Sequence, residues 1–334
     1  MELHQLHVAV FMGGTSLEHD ISMASGAKVA ESLDKKKYKV TWVVIGKDGR
    51  WHFPGTAPMD AFDAVGELKR LGVECVFVAL HGPFGEDGRL QGMLDLLGIP
   101  YTCSGCAASA LAMDKVRCKA VVSSAGVRVA RHVTFAQQEW QRNPEGVAAR
   151  VAESVGFPCV LKSPCQGSSF GIGIPRTPHE FSACAGAIVA IDGTAMAEQY
   201  VKGTEVTCAV LDIEPGQRAK ALPLTEIRPV TAPYFDFEAK YTPGATREIT
   251  PAEISHALAE QVQEMAVTAH EAAGCGIWSR SDFIIGPDGP VWIEVNTVPG
   301  MTPTSLYPQA AAAVGIKFDR LMNLFVEAAL GRRS

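Results

Sequence analysis

The sequence predicts an α/β protein, with an N-terminal parallel sheet covered by helices on both faces and a smaller α+β portion after it. Three observations carry this. The apolar runs Leu6–Met12, Tyr38–Ile45 and Cys75–Leu80 read as strands. Segments of helical composition, Ser22–Leu33 and Ala61–Leu71, alternate with them. The 334 residues are 47% hydrophobic, enough to build cores for two or three domains. Strands alternating with helices favour a parallel sheet buried on both sides.

Ligands of such sheets bind beyond the C-terminal strand ends. The polar loops there are Gly13-Gly-Thr-Ser-Leu-Glu18-His-Asp20 and His81-Gly-Pro-Phe-Gly-Glu-Asp-Gly88. Ala107–Ala125 reads as one helix. A strand, Cys159–Lys162, then leads into the loop Ser163–Gly173. The run Ala195–Val201 precedes a strand over Glu205–Asp212. Residues 231–248 mix aromatic, charged and turn types, as an ordered functional loop would. Pro251–Ala273 reads as a long helix with an apolar stripe. The last elements are a hairpin, the loop Val298–Leu306 and C-terminal helices.

The hairpin carries chemistry. Its first strand holds Arg280 and Asp282 two residues apart, and its second holds Glu294 and Asn296 likewise, so each pair shares a face. If the faces coincide, two carboxylates and an amide oxygen form a hard-oxygen set suited to Mg²⁺ completed by phosphates and water. The guanidinium would face a transferring phosphoryl group. A surface hairpin with solvated charges is the simpler alternative for one such pair. It fits less well when all four residues alternate with apolar neighbours.

Composition excludes some classes. A net charge of −6 without Lys/Arg runs argues against nucleic acid or an anionic membrane surface as partner. No apolar run approaches a membrane span, and the N-terminus lacks a signal-peptide pattern. Nine scattered cysteines, mostly in apolar contexts, fit reduced core thiols and a cytoplasmic location. Cys103 and Cys106 have the spacing of a redox pair or half a zinc site, but no second CxxC or paired His completes the latter, and coincidence is the simpler reading. Gly13-Gly14 lacks the GxGxxG pattern of a dinucleotide fold.

Lys162 ends a strand and is followed by the small-residue loop Gly167-Ser168-Ser169-Phe-Gly171. Small residues let backbone N–H groups approach phosphate oxygens, and the lysine adds a point charge. A lysine before such a loop, with the acidic hairpin far downstream, resembles the ATP-grasp fold. There, two α+β subdomains hold ATP between them. On this basis the chain divides into a Rossmann-like domain over 1–104 and two ATP-grasp subdomains over 105–197 and 198–334.

The match narrows further. Gly13-Gly-Thr-Ser-x-Glu18, His81-Gly-x-x-Gly-Glu-Asp-Gly88, Ser109-Ala-Leu-Ala-Met-Asp-Lys115, Lys162 with Gly167-Ser-Ser-x-Gly, and Phe235-Asp-Phe-Glu-Ala-Lys-Tyr241 occur in order. Arg280-x-Asp282, Glu294-x-Asn296, Pro299-Gly-Met-Thr302 and Ser305-Leu306 follow. Over nearly its whole length the chain resembles the D-alanine–D-alanine ligase family.

The resemblance implies that ATP phosphorylates the carboxylate of one D-alanine, and that the amine of a second attacks the acyl phosphate. Lys115 and Lys162 would contact the α/β-phosphates. Ser168 and Ser169 would form a flap over them, and Lys240 would approach the γ-phosphate. Asp282, Glu294 and Asn296 would bind two Mg²⁺ ions, with Mn²⁺ as a substitute. Arg280 and the Gly300 N–H would stabilise the oxyanion. The purine would sit by Glu198, Gln199, Tyr200 and Val201, with Glu205 on the ribose. Glu18, with His81 nearby, would hold the first D-alanine. Ser305 and the Leu306 backbone would hold the second. Tyr241 would close the 231–248 loop towards Ser168 and Glu18, and a tyrosine there favours a dipeptide over a D-lactate ester. A homodimer is also implied.

Five positions depart from the family pattern: Ser281, Ser163, Pro164, Gln199 and Cys103. None removes a ligand. The alternatives are a ligase that takes D-serine or D-lactate second, or another carboxylate–amine ligase. A nucleotide-binding regulator without chemistry is a further one, against which the intact set Lys162, Arg280, Asp282, Glu294 and Asn296 argues.

Overall fold

The computed structural model describes residues 5–167, 171–229 and 246–332. The first sheet contains β1 (Leu6–Gly13), β2 (Tyr38–Ile45), β3 (Trp51–His52) and β4 (Cys75–Val78), in the order β3-β2-β1-β4. β1 pairs in parallel with β2 and β4, as expected, and β3 adds a short antiparallel edge. Helices α1 (His19–Ser32), α2 (Ala61–Leu71) and α3 (Arg89–Leu97) accompany it. α2 shows why these boundaries hold. The Asp60 carboxylate accepts from the Phe62 and Asp63 amides, and Gly72 ends the helix in the left-handed conformation.

The helix expected over Ala107–Ala125 is two helices, α4 (Cys106–Met113) and α5 (Lys115–Ser124). Asp114 breaks it by leaving helical geometry, and its side chain accepts from the Val116 and Arg117 amides. A short side-chain acceptor offered the backbone an alternative to continuing the first helix. The break places Lys115 at the first position of α5.

A three-stranded antiparallel sheet follows, ordered β5 (His132–Ala136), β7 (Thr194–Gln199), β6 (Cys159–Lys162). Helices α6 (Gln137–Arg142), α7 (Pro144–Ser154) and α8 (Pro178–Asp192) accompany it. Its core runs from Phe135 to Ala197.

The third sheet has the order β11 (Thr246–Ile249), β10 (Thr225–Pro229), β8 (Thr204–Asp212), β12 (Ile277–Gly286), β13 (Gly289–Asn296). A short β9 (Lys220–Ala221) pairs with β8. The helix expected over Pro251–Ala273 is α9 (His256–Ala272), started by Ser255, whose hydroxyl accepts from the Leu258 amide. The core under this sheet takes Ala112, Cys118, Val122 and Val127 from the α4–α5 region. Two helices close the chain, α10 (Leu306–Ala313) and α11 (Phe318–Gly331).

The last helix belongs to the first core. Phe325 of α11 stacks on Trp278 with centroids 4.8 Å apart and meets Phe77 of β4 at 6.4 Å. Among the described residues no helix is long and apolar enough to cross a membrane.

Candidate active site

The β12–β13 hairpin forms as the sequence predicts. Arg280 lies opposite Asn296 and Asp282 opposite Glu294, so all four share one face. Beyond Asp282 the register shifts, and Phe283 pairs with Trp292. Ile293 is thus an extra residue, a β-bulge. It lets Trp292 turn to the core while Glu294, two residues on, turns to the cavity. Trp292 is fully buried, and its indole N–H donates to the Ser281 hydroxyl at 3.1 Å. The departure at Ser281 therefore supplies the acceptor that a buried tryptophan needs.

Arg280 grips Asp282 through two parallel bonds of 2.8 and 2.9 Å, and the Asn296 amide donates to the same carboxylate at 3.2 Å. Glu294 accepts an ion pair from Lys115 at 3.1 Å. Lys115 also donates to the Gln166 carbonyl at 2.7 Å, reaching the start of the glycine-rich loop. Burial pulls the Lys115 ammonium down, but Glu294 overcomes this and raises its pKa, so it stays charged. Protein cations thus neutralise both carboxylates. Two carboxylates and an amide oxygen on one face suit a hard divalent ion completed by phosphate oxygens. No group of three His, Cys, Asp or Glu side chains at metal-holding distance occurs among the described residues.

The hairpin faces a cavity of about 490 Å³, lined among others by Glu18, His81, Glu86, Glu248, Arg280, Glu294, Asn296, Gly300, Ser305 and Leu306. Part of its wall comes from the turn after β1. Gly13 and Gly14 have φ of +89° and +96°, and a Cβ on Gly13 would come within 2.3 Å of the Ile45 carbonyl. The tight turn delivers Glu18 to the start of α1, facing the cavity.

His81 is buried and held at both nitrogens. Nδ1 lies 2.9 Å from the Val298 carbonyl, which can only accept, so Nδ1 carries the proton. Nε2 then accepts from the Ser25 hydroxyl at 3.0 Å, and Ser25 Oγ accepts from the Met301 amide at 3.2 Å. Burial lowers the His81 pKa, opposed in part by Glu18, which keeps the imidazole neutral. The histidine and Ser25 thus clamp residues 298–301, the segment that presents the Gly300 N–H.

The N-terminus of α10 also lines the cavity, through Ser305 and Leu306. Ser305 precedes the helix, and its hydroxyl accepts from the Thr302 amide at 3.0 Å instead of capping it. The helix start thus has no side-chain cap, and its dipole favours a carboxylate there.

The remaining predicted residues divide. Lys115 lines a small adjoining cavity of about 20 Å³ with Glu86, Gly167, Glu294 and Asn296. Lys162 and Glu198 lie deeper, joined at 2.8 Å. Glu198 turns its carboxylate to lysines. Gln199, Val201 and Glu205 do not line the main cavity. Gln199 accepts from Arg131 at 3.3 Å, and Glu205 sits on β8 opposite Ile284. Ser168, Ser169, Lys240 and Tyr241 lie outside the described residues, as does most of the 231–248 loop.

The other departures from the family pattern also have partners. Ser163 donates to Asp192, the Pro164 carbonyl accepts from the Lys115 amide at 3.1 Å, and Cys103 accepts from Gln91 at 3.4 Å. Burial pushes the Cys103 thiol up to about 12.

Two residues escaped sequence reasoning. Glu86 lines both cavities, and its carboxylate accepts from the Gly82 amide at 3.1 Å. Burial, then the Glu18 charge, pushes its pKa up to about 8. Its signal was its place in the His81–Gly88 loop. Lys119 is fully buried beside Glu198. Its signal was its spacing, one helical turn after Lys115 on the same face.

Comparison with known proteins gives a consistent result. Residues 7–67 and 56–104 match the family described as D-ala D-ala ligase N-terminus, and residues 121–327 match D-ala D-ala ligase C-terminus. The D-alanine--D-alanine ligase of Desulfotalea psychrophila is 43% identical, covering 98% of this chain and 95% of that protein. Its counterpart from Halalkalibacterium halodurans is 40% identical over 97% and 99%. Among solved structures, the D-Ala:D-Ser ligase VanG of Enterococcus faecalis superposes with a TM-score of 0.82 at 29% identity, covering 98% of this chain and 100% of that one. The D-alanine--D-alanine ligase of Bacillus anthracis complexed with ATP gives 0.78 at 28% identity, with 98% of each chain covered.

Proposed function

The chain belongs to the D-alanine–D-alanine ligase family and is an ATP-dependent ligase joining two D-alanines, and we propose the residue roles that follow from its geometry. The observation that supports them is one cavity lined together by Glu18, by Arg280, Glu294 and Asn296, and by Ser305 and Leu306 at the N-terminus of α10.

A carboxylate resists attack because its leaving group would be oxide, and phosphorylation supplies a better one. Glu18 pairs with the ammonium of the first D-alanine and orients its carboxylate towards the hairpin. Lys115 and Lys162 neutralise the ATP phosphates, with Lys240, Ser168 and Ser169 as further partners. Arg280 and the Gly300 N–H take up negative charge on the carboxyl oxygen as the second amine attacks. Ser305 and the first amides of α10 bind the carboxylate of that second D-alanine. Tyr241 closes the site, and Gln199, Val201 and Glu205 surround the nucleoside. His81 acts through the loop it clamps.

Asp282, Glu294 and Asn296 would hold Mg²⁺, two ions in the full complex, with Mn²⁺ able to replace it. When bound, the metal would neutralise developing phosphate charge and orient the γ-phosphate. It would compete with Lys115 for Glu294 and with Arg280 for Asp282. We further propose a cytoplasmic homodimer serving peptidoglycan precursor synthesis. The exposed apolar side chains of Phe62 and Leu96 are compatible with such an interface.

The test is phosphate release with ATP, Mg²⁺ and D-alanine, alone or with D-serine or D-lactate, the product identified by mass. D-alanyl-D-alanine in step with phosphate is expected. A mixed product formed faster than the homodipeptide would move the reading to another second substrate. Chelation by EDTA should abolish turnover. Glu294→Gln should lower kcat by at least about a hundredfold, as removal of one electrostatic group does in comparable sites. Full activity in that variant would refute the metal assignment.

A further inference from the structure

Lys119 is a buried lysine that the reaction just described leaves without a role. It is 0% exposed. Its ammonium sits 2.6 Å from Glu198 Oε1, 3.5 Å from the Trp292 carbonyl and 5.3 Å from the centre of the Trp292 ring. The other carboxylate oxygen, Oε2, takes Lys162 at 2.8 Å. Lys162 stands on β6 and Glu198 on β7, on the same face of the sheet, since Lys162 opposes Met196 and Val160 opposes Glu198.

One buried carboxylate is therefore shared by two ammonium groups, and the cluster keeps one positive charge in excess. With Lys162 as its only partner, Glu198 would hold that lysine in a neutral pair, and a phosphate would have to break it in a low-dielectric setting. Resting on the ligase reading above, we propose that Lys119 is a positioning residue for ATP, neutralising Glu198 so that Lys162 can serve the phosphates. Burial lowers the Lys119 pKa, and Glu198 opposes this in part. Lys115 and Lys119 then divide the labour on one face of α5, the first towards Glu294 and the second towards Glu198.

The test is titration of ATP into the purified full chain with Mg²⁺, alongside kcat and KM for ATP at saturating D-alanine. Lys119→Met should raise Kd and KM for ATP about tenfold or more while kcat at saturating ATP changes less than about threefold. The double variant Lys119→Met/Glu198→Gln again leaves one excess positive charge, on Lys162, and should recover most of the lost affinity. A merely structural lysine would give no such rescue. Wild-type ATP affinity in Lys119→Met, or a double variant no better than the single, would overturn the proposal. Should Lys119→Met fail to fold, Lys119→Gln, which keeps a polar group beside Glu198 but no charge, takes its place, and wild-type ATP affinity in that variant overturns the proposal. A wild-type enzyme that binds ATP but makes no dipeptide would instead refute the ligase reading, and the titrations would still judge Lys119.

Discussion

At Glu86 one carboxyl answers to two opposed environments. The Gly82 and Val298 amides favour its charged form, while burial and the carboxylates of Glu18 and Glu294 disfavour it, and the second set prevails. Its pKa rises from 4.5 to about 8, so the folded state favours the protonated acid. For a raised pKa the stabilising contribution is complete below the unfolded value and disappears as pH rises towards the folded one. The ligand-free protein should therefore lose stability between about pH 5 and pH 8 through this residue. Glu86→Gln keeps an acceptor for the Gly82 amide but cannot ionise. It should stabilise the ligand-free protein at pH 8, by up to about 4 kcal/mol, an effect vanishing near pH 5. Thermal melts across that range check it, and an equal gain at both pH values would contradict it. Glu86 was hidden in the sequence because its pKa comes first from burial and then from Glu18, which lies far away along the chain.

Single elements show what a sequence pattern can reveal. The hairpin was legible because alternation in a strand fixes which residues share a face. Arg280 with Asp282, and Glu294 with Asn296, could each be placed on one face before any fold was known, while the pairing of the two faces came from the strand register. The bulge at Ile293 was not legible, since apolar residues on both sides of Glu294 read as plain alternation. The break at Asp114 was missed for a related reason, because Cys106–Ser124 has helical composition throughout and only the cap stops it. That cap matters to the site, since it sets Lys115 at the first turn of α5. Asp114→Ala should destabilise the protein by about 1 kcal/mol, as N-cap removal does. It should also raise KM for ATP by letting Lys115 drift from Glu294. Denaturant unfolding and steady-state kinetics measure the two effects, and a loss of stability with unchanged KM would mean the cap serves the helix alone.

Across the whole molecule, acid should act through Glu198. Burial pushes its pKa up, but Lys162 and Lys119 overcome this and hold it at about 2, against 4.5 for an unperturbed glutamate. The stabilisation is complete above about pH 4.5 and disappears as pH falls towards 2. It amounts to about 2–3 kcal/mol over that interval. Acid unfolding followed by circular dichroism should be shallower over this range in Glu198→Gln, even though that variant is weaker at neutral pH. A curve parallel to wild type would show that other carboxylates dominate. The sequence could not announce this triad, since Lys119, Lys162 and Glu198 come from three separate elements. Nor did it show that α11 packs against the first sheet, for no local pattern records which surface an apolar helix will cover.

The contact between Phe77 and Phe325 also bears on how the protein is made. A ribosome delivers β1, β2 and β4 early and α11 almost last. Until α11 emerges, one flank of the first sheet lacks the helix that covers it. The nascent chain must therefore carry an exposed apolar surface through most of its synthesis, a state that invites chaperones and aggregation alike. Truncation before Phe318 would make that state permanent, far from the catalytic cavity and without touching a single residue of it.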